Sequence, residues 1–181
     1  MLSASDTKAK VSTRVATSSD EKNIDRIHAM IHEAFRTEKS WATEAHIVSG
    51  ERITKDALKE IVCDDKQPFI LAELQDSGET KIVGCIRIQD LVDPKEKLLG
   101  LFSVDPAYQS KGIGGTLVAT ALDRMKGKQE RAVIWVLCSR ADVLAWYQRL
   151  GFYKTGETEP FPWPHLLKQK GIYLQVLKKD L

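Results

Sequence analysis

Residues 103–118 have the sequence SVDPAYQSKGIGGTLV. Three glycines, Gly112, Gly114 and Gly115, occupy four positions between an apolar run that ends at Val104 and the apolar face of a following helix. Each glycine inside a helix costs about 0.5–1 kcal/mol relative to alanine, so this concentration needs a reason. A strand, a glycine-rich turn and a helix N-terminus together present unpaired N–H groups and the positive end of the helix dipole. The stretch therefore predicts a pyrophosphate-binding loop.

Two common nucleotide loops do not fit this spacing. A Walker A loop requires a lysine directly after its last glycine, but Lys111 precedes all three. A dinucleotide fingerprint requires a third glycine where Leu117 stands, and the elements before the loop predict a hairpin meander and not the opening of a βαβ unit. The structural alternative is that the glycines serve only a tight turn and close packing.

Composition limits the remaining classes. The 181 residues suit one domain, and the 43% hydrophobic and 29% charged residues are typical of soluble globular proteins. The net charge of +2 does not indicate a nucleic-acid partner. Without a long apolar run or a secretory signal, we expect no membrane partner and a cytoplasmic protein, with a nuclear location compatible too. The three scattered cysteines indicate reduced thiols and no metal knuckle.

Hydrophobic periodicity predicts an α/β (mixed α+β) order for the chain. Residues 1–10 are expected to form a flexible tail, and residues 11–181 one domain. The predicted strands are 12–17, 68–74, 81–88, 98–104, 131–138, 152–157 and 172–179. The predicted helices run from Ile24 to about Phe35, over 55–62 with Thr54 as N-cap, through Leu117 to Met125, and over 141–150 with Gly151 as C-cap.

Two motifs resemble a known family. QSKGIG, residues 109–114, matches the [RQ]-x-x-G-x-[GA] loop of the GNAT superfamily of acyl-CoA-dependent N-acyltransferases, and VDPAYQ before it is similar to the usual lead-in. WYQRLGF, residues 146–152, resembles the family's helix end YEKLGF at the expected distance downstream. The resemblance covers about residues 11–181. It implies a mostly antiparallel, strongly twisted sheet with helices on both faces.

The resemblance also implies a cosubstrate, acetyl-CoA, and no metal. Backbone groups of the strand before the loop would hold pantetheine, the loop N–H groups would hold the pyrophosphate, and Gln109 would brace the loop. Arg140 stands where many members have an asparagine that contacts the cofactor. The candidate cofactor-binding residues are Phe102, Ser103, Val104, Gln109, Ser110, Lys111, Gly112, Ile113, Gly114, Gly115 and Arg140.

Tyr147 matches the tyrosine that many members use as general acid. A phenol with a pKa of about 10 is protonated at neutral pH and can donate to the departing thiolate. The alternative is a core tyrosine whose hydroxyl finds any partner. Some members place a glutamate base on the strand where Trp135 stands, so the base is open. An acyl-enzyme on Cys138 is a further alternative to direct transfer.

The amine acceptor is expected between two unusual connections. Trp41 and Glu44 lie in the first, Glu157 and Glu159 in the second, and carboxylates beside aromatic rings suit an ammonium group. The alternative is that these are solvated carboxylates and packing aromatics. The sequence thus predicts an N-acetyltransferase for a small-molecule or peptide amine, with a catalytically silent acyl-CoA sensor as the rival. A homodimer is compatible with this fold.

Overall fold

One seven-stranded sheet, in the order β1-β2-β3-β4-β5-β7-β6, organises the chain in a computed structural model that describes residues 10–76 and 78–181. Every neighbouring pair is antiparallel except β4 with β5. The strands are β1 (Lys10–Val15), β2 (Phe69–Asp76), β3 (Glu79–Asp90), β4 (Glu96–Val104), β5 (Arg131–Leu137), β6 (Tyr153–Pro160) and β7 (Tyr173–Asp180). The α-helices are α1 (Ile24–Arg36), α2 (Lys55–Val62), α3 (Ile113–Met125) and α4 (Ala141–Arg149).

The helices cover both faces of the sheet, because neighbouring strand residues point in opposite directions. Leu71 and Cys85 pack in one buried cluster with side chains of α1 and α2. Their neighbours Ile70 and Ile86 pack in a second cluster with side chains of α3 and α4. The predicted fold class, a mixed α/β single domain with a mostly antiparallel sheet and helices on both faces, is confirmed.

The parallel pair at the centre of the sheet is short. β4 and β5 are paired only over three positions, from Glu96 with Arg131 to Leu98 with Val133. The buried carboxylate of Glu96 fastens this end, because it accepts from Arg131 Nε at 2.6 Å and lies 3.1 Å from Lys178 Nζ. Beyond Leu98 the two strands separate, and the space between them is available for a ligand.

A bulge interrupts β4 at the point of separation. Cys85 is paired with Ser103 and Arg87 with Gly100, so two residues of β4 oppose one residue of β3. Leu101 within the bulge has a φ of 43°, in the left-handed region that costs an L-residue roughly 1–2 kcal/mol. Bulges next to active sites redirect neighbouring backbone and side chains. Here the redirected segment borders the space between β4 and β5.

The sequence-based boundaries hold for most elements. Thr54 caps α2 by accepting from Ala57 N at 3.2 Å, and Gly151 follows α4 with a φ of 87°. The predicted tail lies outside the described residues except for Lys10, which begins β1. The predicted end of β6 is wrong, since the strand continues to Pro160 along the edge of the sheet.

Candidate active site

A cleft of about 940 Å³ opens where β4 and β5 separate. It has two parts. The loop half lies on the α3 and α4 side and is lined by Phe102, Val104, Gly112–Gly115, Val136, Val143, Trp146 and Tyr147. The arginine half lies on the α1 and α2 side and is lined by Phe35, Arg36, Glu44, Arg52, Arg87, Phe161 and Trp163. A ligand that passes between the strands would contact both halves.

The glycine loop offers a concave row of donors. Ser110 has a φ of 62° and Gly112, the N-cap of α3, a φ of 82°, so the backbone turns back on itself around Lys111. The N–H groups of the first helical residues have no acceptor within their own helix, and no hydrogen bond of the described loops uses them. A Cβ added at Gly112 or Gly115 would meet nothing within 4 Å. The loop therefore has free donors and room for an anion beside them.

Gly114 has a different role from its neighbours. A Cβ added there would lie 3.2 Å from Phe102 Cζ and 3.4 Å from Trp146 Cζ2. Those two rings stack at 5.7 Å between centroids. The close-packing explanation of the glycines thus applies to Gly114, whereas Gly112 and Gly115 face open space.

Gln109 joins the loop to the connection after α1. Its Nε2 donates to Ser40 Oγ at 2.9 Å and to the Val104 carbonyl at 3.1 Å, and its Oε1 accepts from Trp41 N at 3.3 Å. The side chain therefore holds three segments together, namely the end of β4, the glycine loop and the α1–α2 connection. These contacts are those of a bracing residue.

Tyr147 lies at the base of the loop half with 7% of its surface exposed. Its ring meets Trp146 edge-on at 4.9 Å and Phe152 at 5.7 Å. Among the described residues its hydroxyl has no hydrogen-bond partner. Burial raises the pKa of Tyr147 well above its ordinary value, and the negative charge of Glu44 raises this pKa further. The phenol is thus neutral and free to donate into the cleft.

Comparison with known proteins identifies the architecture. The family model described as the acetyltransferase (GNAT) family matches residues 27–152. The chain belongs to the GNAT acetyltransferase family. Human N-acetyltransferase 8B is 31% identical over 139 residues, which are 74% of this chain and 59% of that protein. The chain thus spans less than two thirds of that relative's length.

Solved structures share the fold across nearly the whole chain. The smu.2055 protein of Streptococcus mutans superposes with a TM-score of 0.70 at 20% identity, over 93% of this chain and 98% of that one. The yncA protein of Salmonella typhimurium, whose structure holds its cofactor acetyl-CoA, superposes with a TM-score of 0.67 at 18% identity, over 95% of this chain and 94% of that one. The ribosomal-protein-S18-alanine N-acetyltransferase of Escherichia coli superposes with a TM-score of 0.64 at 15% identity, over 94% of each chain.

Arg140 of this GNAT chain binds the protein itself. Its guanidinium donates to the carbonyl of Thr43, to that of Trp41 at 2.9 Å, and to both oxygens of Asp142 at 3.0 and 2.7 Å. With 6% of its surface exposed, it has most of its donors in use. Arg140 also lines the cleft, but most of its donors fasten the α1–α2 connection to the start of α4, so its contact with a cofactor stays a prediction.

The other predicted site residues divide between the cleft and the surface. Besides those already placed there, the predicted residues that line the cleft are Trp41, Ser103, Gln109, Ser110 and Arg140. Lys111 lies outside the lining with its Nζ 5.1 Å from the centroid of Tyr108. Glu157 pairs with Lys178 at 3.1 Å, and Glu159 is exposed. Neither of these two glutamates reaches the cleft, because both belong to the edge strand β6.

Two arginines of the arginine half were not predicted from the sequence. Arg52 lies in an aperiodic segment before α2, and Arg87 lies in a strand where its neighbours are apolar. No motif marks either residue, although a charged side chain in the middle of β3 was a signal that could have been followed. Both come to line the cleft only because the fold brings α1, β3 and the β6–β7 connection together.

The described residues add three observations on other site types. Cys138 is not part of the cleft lining, and its nearest polar contact is the Gly171 carbonyl at 3.9 Å from Sγ. Within residues 10–76 and 78–181 no three metal-ligating side chains come together. Over the same residues, no helix has both the length and the apolar character needed to cross a bilayer.

Proposed function

We propose that this GNAT acetyltransferase moves the acetyl group of acetyl-CoA to a primary amine by direct attack, with Tyr147 as general acid. The observation that carries the proposal is the Tyr147 hydroxyl, which lines the cleft with no partner among the described residues. A buried tyrosine hydroxyl normally has a hydrogen-bond partner within the protein. A hydroxyl held free at a cleft is instead suited to donate to a ligand.

The loop half has the donors that acetyl-CoA requires. N–H groups of residues 110–115 suit the pyrophosphate, and the open space over Gly112 and Gly115 lets it approach. The backbone of Phe102, Ser103 and Val104 has no strand partner on the β5 side, so it can pair with pantetheine as with an added strand. Gln109 supports this binding indirectly, by fixing the loop to β4.

Acetyl-CoA supplies the acetyl group as a thioester. The amine nitrogen forms a bond to the acetyl carbon while the carbon–sulfur bond breaks, and the sulfur takes the phenolic proton of Tyr147. The proton lost by the nitrogen passes through Glu44 or water to solvent, and Tyr147 regains a proton. Glu44 is suited to this relay because it lines the cleft and its charge acts on Tyr147.

Thiol release from acetyl-CoA with a panel of amines tests the proposal. We expect Tyr147→Phe to lower kcat by about 10²–10⁴-fold with an unchanged Kd for CoA, because only proton donation is lost. Tyr173→Phe is the matched control, since Tyr173 is exposed on β7 and outside the cleft. An unchanged kcat in Tyr147→Phe would remove the general acid. Tight CoA binding without thiol release for any amine would favour the silent sensor.

A further inference from the structure

The Arg52 guanidinium lies beside two aromatic rings at the cleft. Its guanidinium carbon lies 5.3 Å from the ring centroid of Phe35 and 5.8 Å from that of Trp163. In the described parts of the chain it makes no hydrogen bond and no ion pair. It lines the cleft and is half-buried, and burial lowers the pKa of this guanidinium. Aromatic faces stabilise a cation only partly, so the site is incomplete as the protein alone forms it.

Two carboxylates line the cleft on this side, and neither forms an ion pair with Arg52: the charge of Glu44 acts on Arg52 without a direct contact, and Glu51 lies 3.9 Å from His28 Nε2. Glu44 is engaged by Arg36, whose Nη1 lies 3.0 Å from its Oε2. Arg87 has Asp64 at 4.0 Å from its Nη2 and also experiences the charge of Asp90, but its buried Nε has no partner among the described residues. With Arg36, Arg52 and Arg87 against Glu44 and Glu51, this part of the lining has one more positive than negative side chain. This is opposite to the acidic acceptor site that the loop sequences predict.

An uncompensated cation in a partly dry cleft is unfavourable unless a ligand supplies the counter-charge. Guanidinium groups bind carboxylates through two parallel hydrogen bonds, which gives both affinity and orientation. A ligand carboxylate bound to Arg52 would leave the rest of the ligand in the same cleft as Glu44 and the loop half. The arrangement thus has one place for an anion and another for an amine.

We propose that the acceptor is an amine that also carries a carboxylate, as amino acids do, and that Arg52 binds this carboxylate. The inference rests on the proposed function and narrows its substrate class. The carboxylate holds the acceptor by its far end and sets the distance at which its nitrogen meets the acetyl group. The two rings beside Arg52 favour an acceptor with an apolar or aromatic side group.

The test compares amino acids with their carboxamides, which keep the amine and lose only the negative charge. With the native protein, we expect kcat/KM to be about 10–100-fold higher for the acid than for its carboxamide, as for loss of a hydrogen-bonded ion contact. Arg52→Gln should remove this preference by lowering kcat/KM for the acid while leaving kcat/KM for the carboxamide unchanged. Arg52→Lys should retain part of the preference for the acid. Arg124→Gln on the exposed surface of α3 is the matched control.

The outcomes separate the inference from the proposed function. Carboxamides turned over as well as acids, or a preference unchanged in Arg52→Gln, would overturn the inference and leave the function intact. No thiol release with any amine would refute the function instead. In that case calorimetric titration of acid and carboxamide into the CoA-loaded protein decides the inference, and equal binding of the two would overturn it. CoA titration of each variant verifies that it is folded.

Discussion

Replacing Arg140 by methionine tests whether this residue holds the α1–α2 connection or the cofactor. Methionine keeps an unbranched stem and removes every donor. The bond to the buried Thr43 carbonyl is worth about 1.5–3 kcal/mol as a hydrogen bond from a charged group. The Trp41 carbonyl can be rehydrated and contributes about 1 kcal/mol. Asp142 is 53% exposed, so its ion pair contributes below about 1 kcal/mol. Together the loss is about 3 kcal/mol.

Hydrogen exchange reports this loss where it occurs. At 1.4 kcal/mol for each factor of ten, opening of the connection rises by about two powers of ten. The Glu44 amide, which donates to the Phe35 carbonyl at 2.9 Å, should exchange about 100-fold faster. Amides of the buried Leu117 and Val118 in α3 should be unchanged. Because the connection carries Glu44 into the cleft, KM for the acceptor should rise while Kd for CoA stays the same.

Arg124→Met, which removes an exposed guanidinium of α3, is the control for loss of charge. The reasoning is refuted if Arg140→Met weakens CoA binding by tenfold or more, a benchmark of roughly 1.4 kcal/mol, while the exchange of Glu44 stays as in the native protein. That result would return Arg140 to the cofactor site that the family resemblance implies.

Two further predictions concern the loop half. Burial and the charge of Glu44 raise the pKa of Tyr147, so its phenol stays neutral as the pH rises. We therefore expect that kcat does not fall between about pH 8 and about pH 10. A fall of kcat in the native protein that is absent from Tyr147→Phe would contradict this role of Tyr147. Gly115→Ala should raise the free energy of unfolding by about 0.5–1 kcal/mol in denaturant titrations without ligand. Gly114→Ala should raise the free energy of unfolding by less, because the added methyl group meets Phe102 and Trp146. Greater stability of Gly114→Ala than of Gly115→Ala would contradict the packing argument.

Local patterns were sufficient to predict most of the fold. The stripe of α1, with Ile27, Met30 and Ile31 buried, is visible as helical spacing, and the loop between β4 and α3 is visible as a family motif. The end of β6 could not be predicted in the same way. Its residues are nearly all exposed and include Gly156 and Pro160, so neither alternation nor composition indicates a strand. Pairing with β7 alone extends it.

The acceptor side of the site was predicted least well, and for a physical reason. Glu157 and Glu159 were placed near the cleft because a loop was expected where an edge strand exists. Arg52, by contrast, lines the cleft beside Phe35 of α1 and Trp163 of the β6–β7 connection, which the fold brings together. Tertiary contacts of this kind leave no periodic signal. The loop motif, whose residues are contiguous, does leave one.

The junction of β4 with β5 has a mechanical consequence. The sheet is continuous there only at the end fastened by Glu96, so slight rotation about that end changes the width of the cleft without breaking strand pairs. The two halves of the sheet are thus paired at only three positions along this junction, and a molecule bound between β4 and β5 contacts both halves. Any ligand that binds the folded protein and not the unfolded chain raises the midpoint of thermal unfolding with its concentration. The melting temperature can therefore rank candidate acceptors before turnover is measured.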